Sequence, residues 1–216
     1  MGYTNSSLAT VKVLSPNHSG QRNHEIDTIT IHCVVGQLTA KRIGEVFQSE
    51  TKKASSNYGI GCDGSIGLYV EERNRSWCSS SASNDNRAVT IEVASDKTEP
   101  YAVTDKAYKA LINLVADICK RNGIKELKWE ADKSLVGQVD KQNMTVHRWF
   151  ANKSCPGTYL YERHSQIARE VNAKLKGSKT YRVQIGSFSK RKNAEQLLEK
   201  AISAGFKDAF IKEESV

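Results

Sequence analysis

Residues 26–33, IDTITIHC, constrain this chain more than any other segment. They are rich in β-branched side chains, which favour an extended backbone. Alternation then places Ile29, Ile31 and Cys33 on one face and Thr28, Thr30 and His32 on the other. The first face is a core face. The second carries hydroxyls and an imidazole, and a polar face on such a strand needs a partner or a task. Residues 88–94, AVTIEVA, repeat the pattern, with Val89, Ile91 and Val93 on the core side and Thr90 and Glu92 turned the opposite way. Glu92 and His32 therefore occupy the same kind of face.

The segments around these strands predict helices and one hairpin. Thr39 stands where it caps a helix in which Ile43, Val46 and Phe47 recur at helical spacing. Residues 57–70, NYGIGCDGSIGLYV, read as two short strands joined at Cys62-Asp63-Gly64-Ser65, because Asp-Gly supplies the positive φ of a tight turn. Thr104 opens an amphipathic helix to about Arg121, with Asn122-Gly123 as its stop, and a further helix from about Tyr159 to Leu175 follows Pro156-Gly157. Strands alternating with helices predict an α/β domain over residues 1–175. Residues 176–179, KGSK, form a polar break. Residues 180–216 then start afresh as strand (YRVQIGSF), helix (Lys190–Ser203) and strand (DAFIK), a βαβ unit too small to bury much core alone.

Composition excludes several classes. No apolar run approaches the ~20 residues a membrane span needs, so no stable membrane insertion is expected. The net charge of +8 favours an anionic partner such as nucleic acid or cell-wall polymer. The basic residues are scattered, without Arg alternating with exposed aromatics, so nucleic acid is not the expected partner. The five cysteines include no CxxC pair, which argues for a reducing compartment and leaves a thiol available as a ligand. The first twenty residues lack a basic start and an apolar block, so synthesis in a bacterial cytoplasm without a secretory signal is expected, with release needed to reach an external substrate.

His32 ends an apolar strand, and His147 and Cys155 lie eight positions apart in VHRWFANKSCPG. Two imidazoles and a thiolate suit zinc and leave a fourth position for water. Taken singly, each has an ordinary structural reading, as a satisfied polar residue or a small buried hydrophobe.

Five ordered segments carry a resemblance that spans about residues 10 to 175: the strand ending in His32, the YGIGCDGSI hairpin, RSWCSS, NDNRAVTIEVA, and the late His-x₇-Cys with Lys two before the Cys. In these the chain resembles the zinc amidase family shared by phage T7-type lysozymes, bacterial anhydro-muropeptide amidases and peptidoglycan recognition proteins. The resemblance implies a mixed central sheet flanked by helices, with a zinc site in a surface cleft. It implies His32, His147 and Cys155 as zinc ligands, Glu92 as the catalytic carboxylate of the bacterial branch, Tyr58 as the active-site tyrosine of the phage and animal branch, and Lys153 facing the oxyanion. Trp77 matches an aromatic beside the cleft, with packing as the alternative, and Asn86 is a candidate substrate contact with turn chemistry as the alternative. Cys78 stands where relatives often have His. The implied reaction is hydrolysis of the amide between N-acetylmuramic acid and L-alanine, as in a phage endolysin. A mother-cell autolysin of the same chemistry and a non-catalytic peptidoglycan-binding protein are the alternatives.

The tail, YRVQIGSFSKRKNAEQLLEKAISAGF, resembles the first half of a sporulation-related repeat (SPOR) domain, which implies binding to peptidoglycan glycan strands. A half-module exposes an apolar stripe and strand edges, so two chains pairing their tails as a homodimer, or docking of the tail on its own amidase domain, are the expected ways to cover it.

Overall fold

A computed structural model describes residues 2–177 and 183–214. The chain divides into two units, Met1–Gly177 and Ser178–Val216. The first contains, in chain order, β1 (Val11–Lys12), β2 (His18–Gln21), β3 (Thr28–Val35), α1 (Ala40–Val46), β4 (Tyr58–Ile60), β5 (Ile66–Leu68), β6 (Asn74–Ser76), α2 (Ala82–Arg87), β7 (Ala88–Ser95), α3 (Asp105–Arg121), β8 (Met144–Thr145) and α4 (Gly157–Lys176). Lys176, expected in the polar break, closes α4, a one-residue difference of the kind fraying helix ends produce.

Six strands form one mixed sheet in the order β1-β5-β4-β7-β3-β8, and β2 pairs with β6 in a separate ribbon. The centre is the parallel pair β3 and β7, in register from Thr28 opposite Ala88 through His32 opposite Glu92 to Val35 opposite Ser95. β4 runs parallel to β7 and antiparallel to β5, closing the expected hairpin through Gly64 at φ +85°. The two long central strands are apolar on one face because α3 and α4 cover it. Ile29, Ile31, Val89, Ile91 and Val93 pack there with Leu111, Leu114, Ile118, Leu160, Ile167 and Val171. The Thr39 and Thr104 hydroxyls cap α1 and α3 as their sequences predict.

The opposite face is only partly covered. Ile43 of α1 and Phe47 just after it pack with Tyr69 and Ala94 in a smaller cluster. The Tyr69 ring fits there because Gly59 and Gly67 carry no side chain; a Cβ at either would stand 2.4–2.5 Å from that ring. The rest of this face holds Thr30, His32, Thr90 and Glu92.

The second unit contains α5 (Arg191–Ser203), within the helix predicted from Lys190. The flanking strands differ from expectation. Residues 183–188 and 207–214 form no strand, and residues 180–182 lie outside the described residues. A strand needs a hydrogen-bonded neighbour. Arg191 of α5 reaches Glu213 at 3.7 Å, and Val183, Ile185 and Phe206 stand exposed.

Candidate functional site

The parallel register of β3 and β7 sets His32 beside Glu92 on the face opposite α3 and α4. The remaining groups come from loops beyond the strand ends. A single 3₁₀ turn at His147–Trp149 follows β8, and the Arg148 N–H donates to the Cys155 carbonyl (3.1 Å), folding the loop so that His147 and Cys155 approach β3 together. Cys155 Sγ lies 3.4 Å from His32 Nδ1 and accepts from the Cys33 N–H at 3.4 Å. The His32 and His147 rings are 5.1 Å apart. One ligand atom from each of His32, His147 and Cys155 lies within 4.8 Å of the others.

This donor set fits a divalent metal. Ligand bonds of about 2.0–2.3 Å in a tetrahedron require donor separations of about 3.5 Å, close to the His32–Cys155 distance. His32 is fully buried, yet its Nε2 has no hydrogen-bond partner. Burial, and then the neighbouring His147, push the His32 pKa well below its ordinary value. His147 is lowered by burial and by the charge of Lys153. Both imidazoles are thus held neutral, as ligation requires. The Cys155 thiol is pushed up by its hydrogen bond with Cys33, by burial and by Glu92; a bound cation reverses that balance and deprotonates it. His147 Nε2 is 3.0 Å from Ser80 Oγ, which leaves Nδ1 as its ligand atom and fixes the ring.

Glu92 is the second component. Burial raises its pKa to about 7, and the Cys78 thiol donates to it, with Sγ 3.8 Å from Oε1. Glu92 Oε2 is buried without a partner. A carboxylate so poorly solvated and so weakly bonded is a proton acceptor near neutral pH. Lys153 is exposed on the loop before Cys155, near enough for its charge to act on His147.

Three further expected site residues have structural partners of their own. Tyr58 is on the core face, because in the β4–β7 register it is Gly59 that stands opposite Glu92 while Tyr58 stands opposite Ile91. Its hydroxyl donates to Glu72 Oε1 (2.6 Å) and accepts from the Ser6 N–H (2.8 Å), and burial with the Glu72 charge raises its pKa far above the ordinary value. Asn86 belongs to α2: its amide donates to the Ala82 carbonyl, and its side-chain oxygen accepts from the Asn23 N–H. The Trp77 indole donates to Ser19 Oγ (2.6 Å), which ties it to β2.

Sequence reasoning missed the residues that support the site. Asn84 donates to Thr30 Oγ1 and accepts from Thr145 Oγ1, which joins β3, β8 and α2 beneath His32. Asp85 accepts from the Cys78 and Ser79 N–H groups and pins the loop that carries Cys78 and Ser80. The buried Arg22 guanidinium gathers the carbonyls of Glu72, Asn74, Asp85, Asn86 and Ala88 around the same region. Only the density of Ser, Asn and Asp in residues 79–86 hinted at this network.

Comparison with known proteins bears on the family and the fold. A family described as N-acetylmuramoyl-L-alanine amidase matches residues 22–158, and the SPOR domain family matches residues 177–215. No curated protein sequence matches the chain. Among solved structures, a selenomethionine derivative of AmpD is similar over 78% of this chain and 99% of its own, at 18% identity and a TM-score of 0.57. A mutant endolysin from Bacillus subtilis covers 74% of this chain and 97% of its own at 14% identity and a TM-score of 0.53. Drosophila peptidoglycan recognition protein PGRP-SA covers 72% and 91% at 14% identity and a TM-score of 0.53. At these identities the likeness is one of fold.

Proposed function

The chain belongs to the N-acetylmuramoyl-L-alanine amidase family, and from that premise we propose that it hydrolyses the amide between N-acetylmuramic acid and L-alanine in bacterial peptidoglycan, with zinc held by His32, His147 and Cys155. The observation that carries this reading is the convergence of those three donors beside a buried, weakly bonded carboxylate in register with His32. Zinc bound there supplies a Lewis acid that polarises a carbonyl and acidifies water towards a pKa of about 7.

The chain's own residues do the rest. Ser80 orients His147, and the Asn84, Thr30 and Thr145 network holds the floor under His32. Glu92 takes a proton from the attacking water through its unpaired Oε2 and returns it to the leaving amine. Lys153, free on its loop, swings its ammonium towards the oxygen that gains negative charge, a contribution of about 3–4 kcal/mol for a well-placed donor.

In this reading residues 1–175 are catalytic, 176–179 link, and 180–216 hold the enzyme on peptidoglycan through the SPOR match. The exposed Val183, Ile185 and Phe206 favour pairing with the tail of a second chain, which would cover this apolar surface. Sedimentation at micromolar concentration tests this, since a monomer there contradicts it. An endolysin acting on the wall after release from the producing cell is the physiological reading we favour over a host autolysin; whether a neighbouring gene encodes a small membrane pore tests it.

The decisive experiment incubates purified cell wall with the protein, with and without a chelator. Free alanine amino groups that disappear on chelation are expected. New reducing sugars in their place would overturn the amidase assignment.

A further inference from the structure

Cys78 is a thiol of the same cleft that the first donor set does not use. A ligand atom of His32, the Cys78 sulfur and a Glu92 oxygen lie within 4.8 Å of one another, so they form a second donor group that shares His32 with the first. The Cys78 sulfur is 3.8 Å from Glu92 Oε1, a separation suited to two ligands of one ion. Two atoms of this group, His32 Nε2 and Glu92 Oε2, are buried without hydrogen-bond partners. Leaving such an atom unpaired is unfavourable, and a cation satisfies acceptors that no donor reaches. The group is also held in place: Asp85 fixes the backbone of Cys78 and Ser79, and the central strands fix His32 and Glu92.

We propose that His32, Cys78 and Glu92 form a second cation position, overlapping the first through His32, that takes a soft divalent ion. Imidazole, thiolate and carboxylate are all accepted by zinc and cadmium, and binding releases the thiol proton to solvent. Because neutral imidazole serves one ion at a time, a single ion has two resting places. In one, His147 and Cys155 complete the set and Glu92 remains a base. In the other, Glu92 is consumed as a ligand and the cleft cannot turn over. Cys78 therefore sets the fraction of loaded chains that is productive. The inference rests on the amidase reading of the same cleft.

The test titrates the metal-free full-length chain with cadmium alone, following the thiolate-to-cadmium charge-transfer absorption and bound metal by equilibrium dialysis. Cys155→Ala removes the sulfur of the first position, and this variant is expected to bind one cadmium per chain and keep a thiolate band. Adding Cys78→Ala should abolish the band, and adding Glu92→Gln instead should weaken binding by about tenfold or more. Circular dichroism checks each fold, and Cys155→Ser carries the same series if the alanine variant unfolds. A Cys155 variant without a thiolate band, or a band that survives Cys78→Ala, overturns the second position. Wild-type chain loaded with zinc is assayed on cell wall in parallel. Failure there removes the amidase reading, whereas intact cleavage with a failed cadmium series removes only the second position.

Discussion

Two glutamates flank the same sheet and live under opposite rules. Glu72 is fully buried and saturated: Tyr58 and Arg121 Nη2 each donate to Oε1 at 2.6 Å, while Arg121 Nη1 and Asn122 donate to Oε2 at 3.0 Å. Glu92 has one thiol at 3.8 Å and an oxygen with no partner. Both are largely withdrawn from water, so burial does not separate structure from chemistry; the supply of donors does. A carboxylate surrounded by donors is fixed in place and ties Tyr58 to α3. One deprived of donors is poised to exchange a proton.

The largest expected effect breaks the contrast at Glu92. Glu92→Gln should lower wall cleavage by about 10²–10⁴-fold, the usual worth of a general base, while circular dichroism and bound zinc stay at wild-type levels. Cleavage within a few-fold of wild type would move the proton-accepting role elsewhere. On the other side, Arg121→Ala leaves the Glu72 charge buried beside fewer donors and should cost about 3–5 kcal/mol in denaturant unfolding. Activity per folded molecule should hold.

A pH series sharpens the comparison. The Glu92 pKa, raised by burial to about 7, exceeds the ordinary carboxyl value in the unfolded chain, so its contribution to stability is fully present below about pH 4.5 and is lost as pH rises through 7. In metal-free protein the unfolding free energy of wild type relative to Glu92→Gln should therefore fall across that window, by at most about 3 kcal/mol. A flat difference would show that Glu92 is better solvated than its position indicates. The smaller effects come from single hydrogen bonds. Ser80→Ala should weaken zinc about 10–100-fold in a competition assay by freeing the His147 ring. Tyr58→Phe should cost about 1–2 kcal/mol of stability and leave cleavage unchanged, because its hydroxyl serves Glu72 and not the cleft. A large activity loss in Tyr58→Phe would return that residue to the mechanism.

The sequence by itself determined the central strands, the helices that cover them and the face on which His32 and Glu92 stand. Those features depend on local periodicity, and periods of 2 and 3.6 are written in neighbouring residues. Resemblance along the chain also brought His147 and Cys155 into view as partners of His32. Only the tertiary structure decided which residues share the cleft. Tyr58 was assigned to it and lies on the far face, since pairing register between β4 and β7, which no single strand encodes, puts Gly59 opposite Glu92. Ser80, Asn84 and Asp85 act through contacts with β3, β8 and the His147 loop, at separations too long for any spacing rule. The strands of the tail follow the same logic. Their residues favour extended backbone, but a strand exists only with a hydrogen-bonded neighbour in register, which local preference does not supply, and residues 183–188 and 207–214 form none.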